Sequence, residues 1–306
     1  MKTIFISCFH PYTSRNILST DAYGELAKRD DVKIVLFVHP HKKDYIAKIF
    51  PARNLIVEGV YFDAPSKRRV TLVMKRLAKY CVDSDTVRIQ RSLKWRYEKK
   101  YFYLLIALFA RAVSAYAWLR SFLRWCDFHT AKKDRYGYYI KTYKPDVVVV
   151  TDILNERDVE FAQNAQYAGV PVIGMVRSWD NLTSHGLMRI IPDKLLVPSE
   201  EVKRQAYILN DCPQGSVEVV GVAHYDKYVR GPTKPREQFF KEMGLTGLGM
   251  VYLYAPIGDF YMPGNTTDAY IVSLLNSLDG EVIVRFPPTI SVKDMEHARP
   301  HNHMVF

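Results

Sequence analysis

Short apolar runs recur along the chain and are separated by polar, helix-like stretches. Seven of these runs precede residue 226, and several are apolar without alternation, as is typical of parallel strands buried on both faces. They are KTIFISCF (2–9), VKIVLFVH (32–39), NLIVEGVYF (54–62), PDVVVVT (145–151), VPVIGMV (170–176), DKLLVPS (193–199) and VEVVGVA (217–223). The pattern predicts an α/β fold in which helices cover both faces of a parallel sheet, as in a Rossmann-like domain.

The same pattern predicts a division of the chain into domains. Residues 1–226 are predicted to form a Rossmann-like N-terminal domain. The next segment, 227–236, is polar and contains two prolines and a glycine, which is typical of a linker. Helix and strand patterns resume over 237–306, but a free-standing domain usually needs roughly 100–150 residues. We therefore expect residues 237–306 to be a partial second Rossmann-like domain, truncated relative to a whole one.

A helical insertion, 64–144, interrupts the first domain and carries most of the charge. Between Lys67 and Lys144 the chain has 20 Lys/Arg against 5 Asp/Glu, whereas the whole chain has a net charge of +11. Its apolar stretch, 101–119, contains Arg111, and no uncharged run reaches the ~20 residues that span a bilayer. Two interpretations stay open: the insertion packs within the domain with solvated basic ends, or it lies on an anionic membrane surface.

Several classes of protein are excluded by missing motifs. No GxGxxG follows the first strand and no GxxxxGK[ST] is present, so the sequence disfavours dinucleotide and P-loop nucleotide binding. Asp83-Ser84-Asp85 has the spacing of a metal–nucleotide motif but follows a basic helical pattern, so we interpret it as a helix break. No metal site and no bound cofactor are expected. Four scattered cysteines without CxxC spacing indicate reduced thiols in a cytoplasmic protein.

Ligands of open parallel sheets bind outside the carboxyl ends of the strands, so the polar residues that follow each strand are the candidates for a site. We expect His10, Asp152 and Asp180 to be catalytic. The expected substrate-binding residues are Tyr12, Ser14, Arg15, Asn16, Arg177, Ser178, Trp179, Asn181, His185, Ser199 and His224.

Each leading candidate has a structural alternative. His10 either removes a proton from an acceptor hydroxyl, oriented by Asp152 or Asp180, or caps the turn that follows it. Trp179 either stacks on a sugar or base or packs beneath its loop. Asp180 and Asn181 either bind substrate hydroxyls or make a local turn.

The stretches SWDNLTSHGLMRIIPDKLLVPSEEVKRQA (178–206), VEVVGVAHYD (217–226) and KTIFISCFHPYTSRNILSTD (2–21) resemble bacterial glycosyltransferases of the GT-B type, in the glycogen phosphorylase-like superfamily. The resemblance implies two facing Rossmann-like halves, an acceptor in the first, a nucleotide-sugar co-substrate in the second, and metal-independent transfer. It also implies that His10, at the end of the first strand, is the base. Phe286 stands where related epimerases carry a histidine, which disfavours the epimerase variant.

These observations support one function and two alternatives. The first is transfer of a sugar from a nucleotide-sugar to a surface-glycan or lipid-linked acceptor, by a protein that is cytoplasmic and peripheral at the inner membrane face, and whose donor binding is reduced by truncation. The alternatives are a glycerophosphotransferase with a CDP-glycerol donor and a non-catalytic protein that binds polyanions or lipid surfaces. Nucleic acid is not an expected partner.

Overall fold

The computed structural model describes residues 1–62, 69–98, 102–258, 264–286 and 304–305. The chain divides into two compact units, Met1–Asp226 and Lys227–Phe306. Within the described ranges, the helices of the first unit are Asp21–Ala27, Lys43–Ile49, Arg69–Tyr80, Asp85–Glu98, Phe102–Ala115, Ala117–Thr130, Gly137–Tyr143, Glu156–Tyr167, Asn181–Ser184 and Glu200–Asn210, with shorter helical turns at Pro11–Thr13, Ser14–Leu18, Pro40–Lys42 and Ala223–Tyr225.

A seven-stranded parallel sheet forms the centre of the first unit. Its spatial order is β3-β2-β1-β4-β5-β6-β7, so the strand order reverses between β1 and β4. The strands are β1 (Lys2–Cys8), β2 (Val32–Val38), β3 (Leu55–Gly59), β4 (Val147–Val150), β5 (Val172–Met175), β6 (Lys194–Val197) and β7 (Val217–Val219). All seven predicted strands are confirmed, with ends trimmed by up to four residues.

Buried aromatic and branched residues hold helices to both faces of this sheet. On one face, the rings of Phe5 and Phe37 lie 4.8 Å apart, and Phe161 of the helix Glu156–Tyr167 lies 4.9 Å from Phe37. On the other face, Ile34 and Tyr23 belong to a second buried cluster. The strands are apolar without alternation because each face of the sheet packs against a core. Apolar burial of this kind contributes about 25 cal/mol per Å².

The insertion docks on the first unit through buried charges as well as apolar contacts. Arg120 donates from Nε and Nη2 to the Asp211 carboxylate at 2.7 and 2.5 Å, and Arg124 Nη1 reaches the same carboxylate at 3.2 Å. The Ser84 hydroxyl donates to the Thr183 carbonyl at 2.5 Å. The helix Arg69–Tyr80 ends before Ser84 and the helix Asp85–Glu98 begins after it, and the Ser84 hydroxyl accepts the Val87 amide at 3.2 Å. The interpretation of residues 83–85 as a helix break is therefore correct.

The second unit contains a smaller parallel sheet of order β10-β9-β8. Its strands are β8 (Val251–Tyr254), β9 (Glu281–Val284) and β10 (Met304–Val305), and its helices are Arg236–Met243 and Thr267–Asn276, with a short turn at Asp226–Val229 where it begins. The strand β10 has no counterpart in the sequence prediction, because a two-residue strand leaves no periodic signal. In the described residues, no helix is long and apolar enough to cross a membrane.

Candidate functional site

A cleft of about 1070 Å³ opens at the carboxyl edge of the large sheet. The ends of β1, β4 and β5 form its floor, and the insertion helices Arg69–Tyr80 and Asp85–Glu98 form a wall. Of the predicted site residues it brings together His10, Asp152, Arg177, Asp180 and His185. Their convergence follows from the sheet, because parallel strands deliver the residues after them to one edge.

Arg177 and Asp152 form an ion pair on the floor of the cleft. Arg177 Nε lies 2.7 Å from Asp152 Oδ2, and the Asp152 side chain is almost fully buried. The Arg177 guanidinium also lies 5.8 Å from the centre of the Tyr12 ring. The pair therefore fixes the ends of β4 and β5 against the turn that follows β1.

A second carboxyl group, Asp158, lies beneath this floor. It is fully buried and accepts hydrogen bonds from the Ser7 hydroxyl and the Thr151 amide. Burial raises the pKa of Asp158 to about 7, against the opposing effect of the Ser7 hydrogen bond. Asp158 thus fixes the backbone at the end of β4, and it titrates near neutral pH.

His10 faces the cleft and also caps the turn after β1. Its Nδ1 accepts the Tyr12 amide at 3.2 Å, so the neutral ring carries its hydrogen on Nε2. Burial and the charge of Arg177 lower the pKa of His10, and nearby Asp152 raises it less. The ring is therefore neutral at pH 7. In the described residues no hydrogen bond joins His10 to Asp152 or Asp180, so the expected orienting contact is not formed here.

Asp180 and His185 belong to a short network in the loop after β5. The Asp180 carboxylate accepts from Ser178 at 2.6 Å and Ser184 at 3.2 Å, and the Ser184 hydroxyl lies 2.8 Å from His185 Nδ1. Although burial raises it, these hydroxyls hold the pKa of Asp180 below its ordinary value. Asp180 is thus an ionised acceptor at the cleft, held by side chains of its own loop.

The other predicted residues lie around the cleft and not in its lining. Trp179 does not pack beneath its loop, since 76% of its surface is exposed, whereas Asn181 is buried. Ser199 caps the helix Glu200–Asn210 by accepting the Val202 amide at 3.4 Å. The remainder occupy the turns after β1 and β7 and the loop after β5: Tyr12, Ser14, Asn16, Ser178 and His224. The side chain of Arg15 lies outside the described residues.

Sequence reasoning missed the cationic residues that line much of the cleft. Lys75, Lys79 and Arg135 come from the insertion, and Arg157 and Arg189 come from other connections. The signal available was the excess of Lys/Arg in the insertion, which we assigned to solvent or membrane. Whether these basic side chains face the cleft depends on contacts between residues distant in sequence, and such contacts leave no local sequence pattern.

No family profile matches the chain and no curated protein matches its sequence. Solved structures match over the whole chain at low identity. The S. aureus MnaA–UDP co-structure has a TM-score of 0.54 and 11% identity, covering 100% of this chain and 68% of that one. A UDP-GlcNAc 2-epimerase from Neisseria meningitidis, bound to UDP-GlcNAc, has 0.51 and 12%, covering 100% and 72%. A Rickettsia africae glycosyltransferase has 0.50 and 9%, covering 99% and 67%.

The chain has a GT-B-like fold. This confirms the predicted fold class, and the chain spans 67–72% of the length of these neighbours. In the GT-B-like first unit, the cleft occupies the carboxyl edge at which ligands of parallel sheets bind. Among the described residues, no group of three or more His, Cys, Asp or Glu is arranged to hold a metal ion.

Proposed function

We propose that the chain is a glycosyltransferase that moves a sugar from a nucleotide-sugar to a surface-glycan or lipid-linked acceptor. The observation that carries this proposal is the cleft of the first unit, where the neutral His10 follows β1 and the buried carboxylate Asp152 follows β4. Two structural neighbours contain UDP or UDP-GlcNAc, which supports a nucleotide-sugar as the co-substrate. The resemblance implies that Phe286 stands where epimerases carry a histidine, and this implication disfavours epimerisation.

In this proposal His10 is the general base. An acceptor hydroxyl gives its proton to His10 as its oxygen bonds to the anomeric carbon, and the nucleoside diphosphate leaves with the bonding electrons. To accept a proton at Nε2, the ring must carry its hydrogen on Nδ1, so the hydrogen bond that the Tyr12 amide donates to Nδ1 has to break. Asp152, which already acts on the pKa of His10, would then accept a hydrogen bond from Nδ1–H and stabilise the imidazolium.

Donor binding and transfer provide the test. A thermal-shift screen of UDP-, GDP-, CDP- and dTDP-sugars should give stabilisation by one nucleotide, because a ligand of the native state raises Tm. CDP-glycerol belongs in the screen, since its selective binding would favour the glycerophosphotransferase. With the donor known, His10→Ala should lower kcat roughly 10²–10⁴-fold while the donor still binds. Turnover that survives this substitution would contradict the role of His10.

A specific observation supports a second proposal, that an anionic membrane is a partner. The helix Ala117–Thr130 buries polar residues and exposes aromatic ones, the reverse of an ordinary surface helix. Arg120 and Asp127 are 8% and 4% exposed, whereas Trp118, Phe122 and Trp125 are 66%, 55% and 57% exposed. The exposed three lie four and three residues apart on one face, and the rings of Phe122 and Trp125 stack at 6.1 Å.

The chemistry of this aromatic face (Trp118, Phe122 and Trp125) fits a lipid headgroup region. Tryptophan favours the membrane interface, and the basic residues of the insertion complement an anionic surface. We expect the double variant Trp118→Ser/Trp125→Ser to lose co-sedimentation with vesicles containing phosphatidylglycerol. The matched control is Trp179→Ser, which removes a still more exposed tryptophan from the loop after β5 and should bind vesicles as the wild type does. Equal binding by all three proteins would exclude this surface.

A further inference from the structure

Arg157 lines the cleft from the first turn of the helix Glu156–Tyr167. Its Nη1 forms a hydrogen bond with Nε2 of His39, and its guanidinium carbon lies 4.8 Å from the centre of the Phe62 ring. Because a guanidinium can only donate, His39 is the acceptor and carries its hydrogen on Nδ1. Arg157 is therefore held in position by a neutral partner and an aromatic face, and its charge is not compensated by either.

The acids beside Arg157 on its helix serve other cations. Glu156 pairs with Arg189 at 2.8 Å, and Glu160 pairs with Arg135 at 2.9 Å. Within the described ranges, no carboxylate lies within ion-pair distance of Arg157. Its guanidinium thus keeps donors for a ligand in the cleft.

The electrostatic surroundings of His39 are positive. After burial, the groups that lower the pKa of His39 are Arg157, His41 and Lys42, and no acid of the described chain opposes them. The Lys42 charge also lowers the pKa of His10. Mutual repulsion among fixed cations is relieved by a bound anion, which favours anion binding at such a position.

We infer that Arg157, held in place by His39 and Phe62, is an oxyanion subsite of the cleft that His10 also lines, and that it holds a phosphate group of the molecule bound there. The planar guanidinium suits a phosphate because two parallel N–H donors can meet two of its oxygens. The inference rests on the proposed function only where it names that molecule as the acceptor, which is then a phosphorylated saccharide. Binding of the oxyanion itself requires no transfer.

Calorimetric titration of the full chain at constant ionic strength tests the subsite. The probes are inorganic phosphate, a hexose 1-phosphate and a short prenyl diphosphate. Arg157→Gln should weaken binding of all three at least about tenfold, as expected for a lost charge-assisted pair. The matched control is Lys79→Gln, which removes the same charge from the exposed wall of the same cleft and should weaken binding less than about twofold.

Equal losses in the two variants, or no phosphate binding by the wild type, would overturn the subsite. If circular dichroism shows that Arg157→Gln does not fold, Arg157→Lys is used, which keeps the charge and removes the two parallel N–H donors. Wild-type affinity for phosphate in that variant would also overturn the subsite. Tighter binding of the prenyl diphosphate than of the hexose phosphate would identify a lipid-linked acceptor, and the reverse order a soluble one. Phosphate binding through Arg157 without any sugar transfer would leave the subsite standing and contradict the proposed function.

Discussion

Nε of Arg177 lies 2.7 Å from Oδ2 of Asp152, in an ion pair that joins the ends of β5 and β4 on the floor of the cleft. Only 4% of the Asp152 side chain is exposed, so its charge depends on this arginine for compensation. The pair lies where the two strand ends and the turn containing Tyr12 meet. The geometry of the site and the stability of the first unit are therefore coupled.

Loss of Arg177 should destabilise the protein strongly. Removing one partner of a buried ion pair leaves an uncompensated charge, which costs about 3–5 kcal/mol. Urea unfolding of Arg177→Gln should therefore show a lower free energy of unfolding than the wild type. Arg204→Gln is the control, because its partner Glu201 is well exposed and no measurable change is expected. Wild-type stability in Arg177→Gln would mean that Asp152 is compensated in another way.

The floor of the cleft was predictable from the sequence, and the reason is geometric. Non-alternating apolar runs predicted the strands, and the rule for parallel sheets placed His10, Asp152 and Arg177 at one edge without knowledge of the strand order. The capping role of His10 was one of two alternatives, and the hydrogen bond from the Tyr12 amide shows that it is realised. Whether His10 is also the base stays a prediction.

The wall of the cleft was not predictable, because contacts distant in sequence position it. Arg120 directly follows the apolar stretch 101–119 of the insertion, yet it is buried against Asp211, 91 residues away. The Ser84–Thr183 hydrogen bond is equally remote in sequence. Because these contacts turn the insertion helices, Lys75 and Lys79 reach the cleft.

The pH dependence of transfer should follow the lowered pKa of His10. Burial and Arg177 hold that pKa below 6.5, so the ring is a free base throughout the neutral range. The rate of transfer under saturating donor should stay level from pH 8 down to about the ordinary histidine pKa of ~6.5 and fall only below it. A stopped assay from about pH 4.5 to about pH 8, which covers the range where histidine titrates, measures the rate of transfer as a function of pH.

Three variants separate His10 from other titrating groups. His10→Ala should lose most of the rate and also the fall in rate at low pH, which is the acidic limb of the pH–rate profile. His129→Gln changes an exposed histidine outside the cleft and should keep the wild-type profile. Substitution of Arg177 by Gln removes a cation that lowers the pKa of His10, so the limb should move to higher pH in that variant. A limb that does not move would contradict the assignment.

Asp158 should make stability depend on pH in the acidic range. Its folded pKa of about 7 lies above the ordinary 3.8, so the folded state holds a proton that the unfolded state has released. This contribution is fully present below the unfolded pKa and is lost as pH rises to about 7, at up to roughly 1.4 kcal/mol per pH unit. His10 and His39 act in the opposite sense, because their folded pKa values are lowered.

The difference between Asp158→Asn and the wild type isolates the carboxyl group. Urea unfolding is measured at several pH values between the ordinary pKa of 3.8 and the folded pKa of about 7. The variant should gain stability relative to the wild type as pH rises. Ser7→Ala serves as a companion, since it removes a hydrogen bond to Asp158 but leaves the titrating group in place. A difference that does not vary with pH would show that Asp158 is ionised in the folded state.

Gly186 sets the approach of the loop after β5 to the wall of the cleft. Its φ is +94°, and an added Cβ would lie 2.4 Å from the Lys79 Cα and 2.5 Å from the Ala78 carbonyl oxygen. Gly186→Ala therefore combines left-handed strain, about 1–2 kcal/mol, with a collision against backbone that cannot give way locally. Gly215→Ala is the matched control, since φ there is +78° and nothing lies within 4 Å. Urea unfolding should show a clearly larger loss of stability at 186 than at 215, and equal losses would mean that strain alone decides and that the loop and wall move apart without cost.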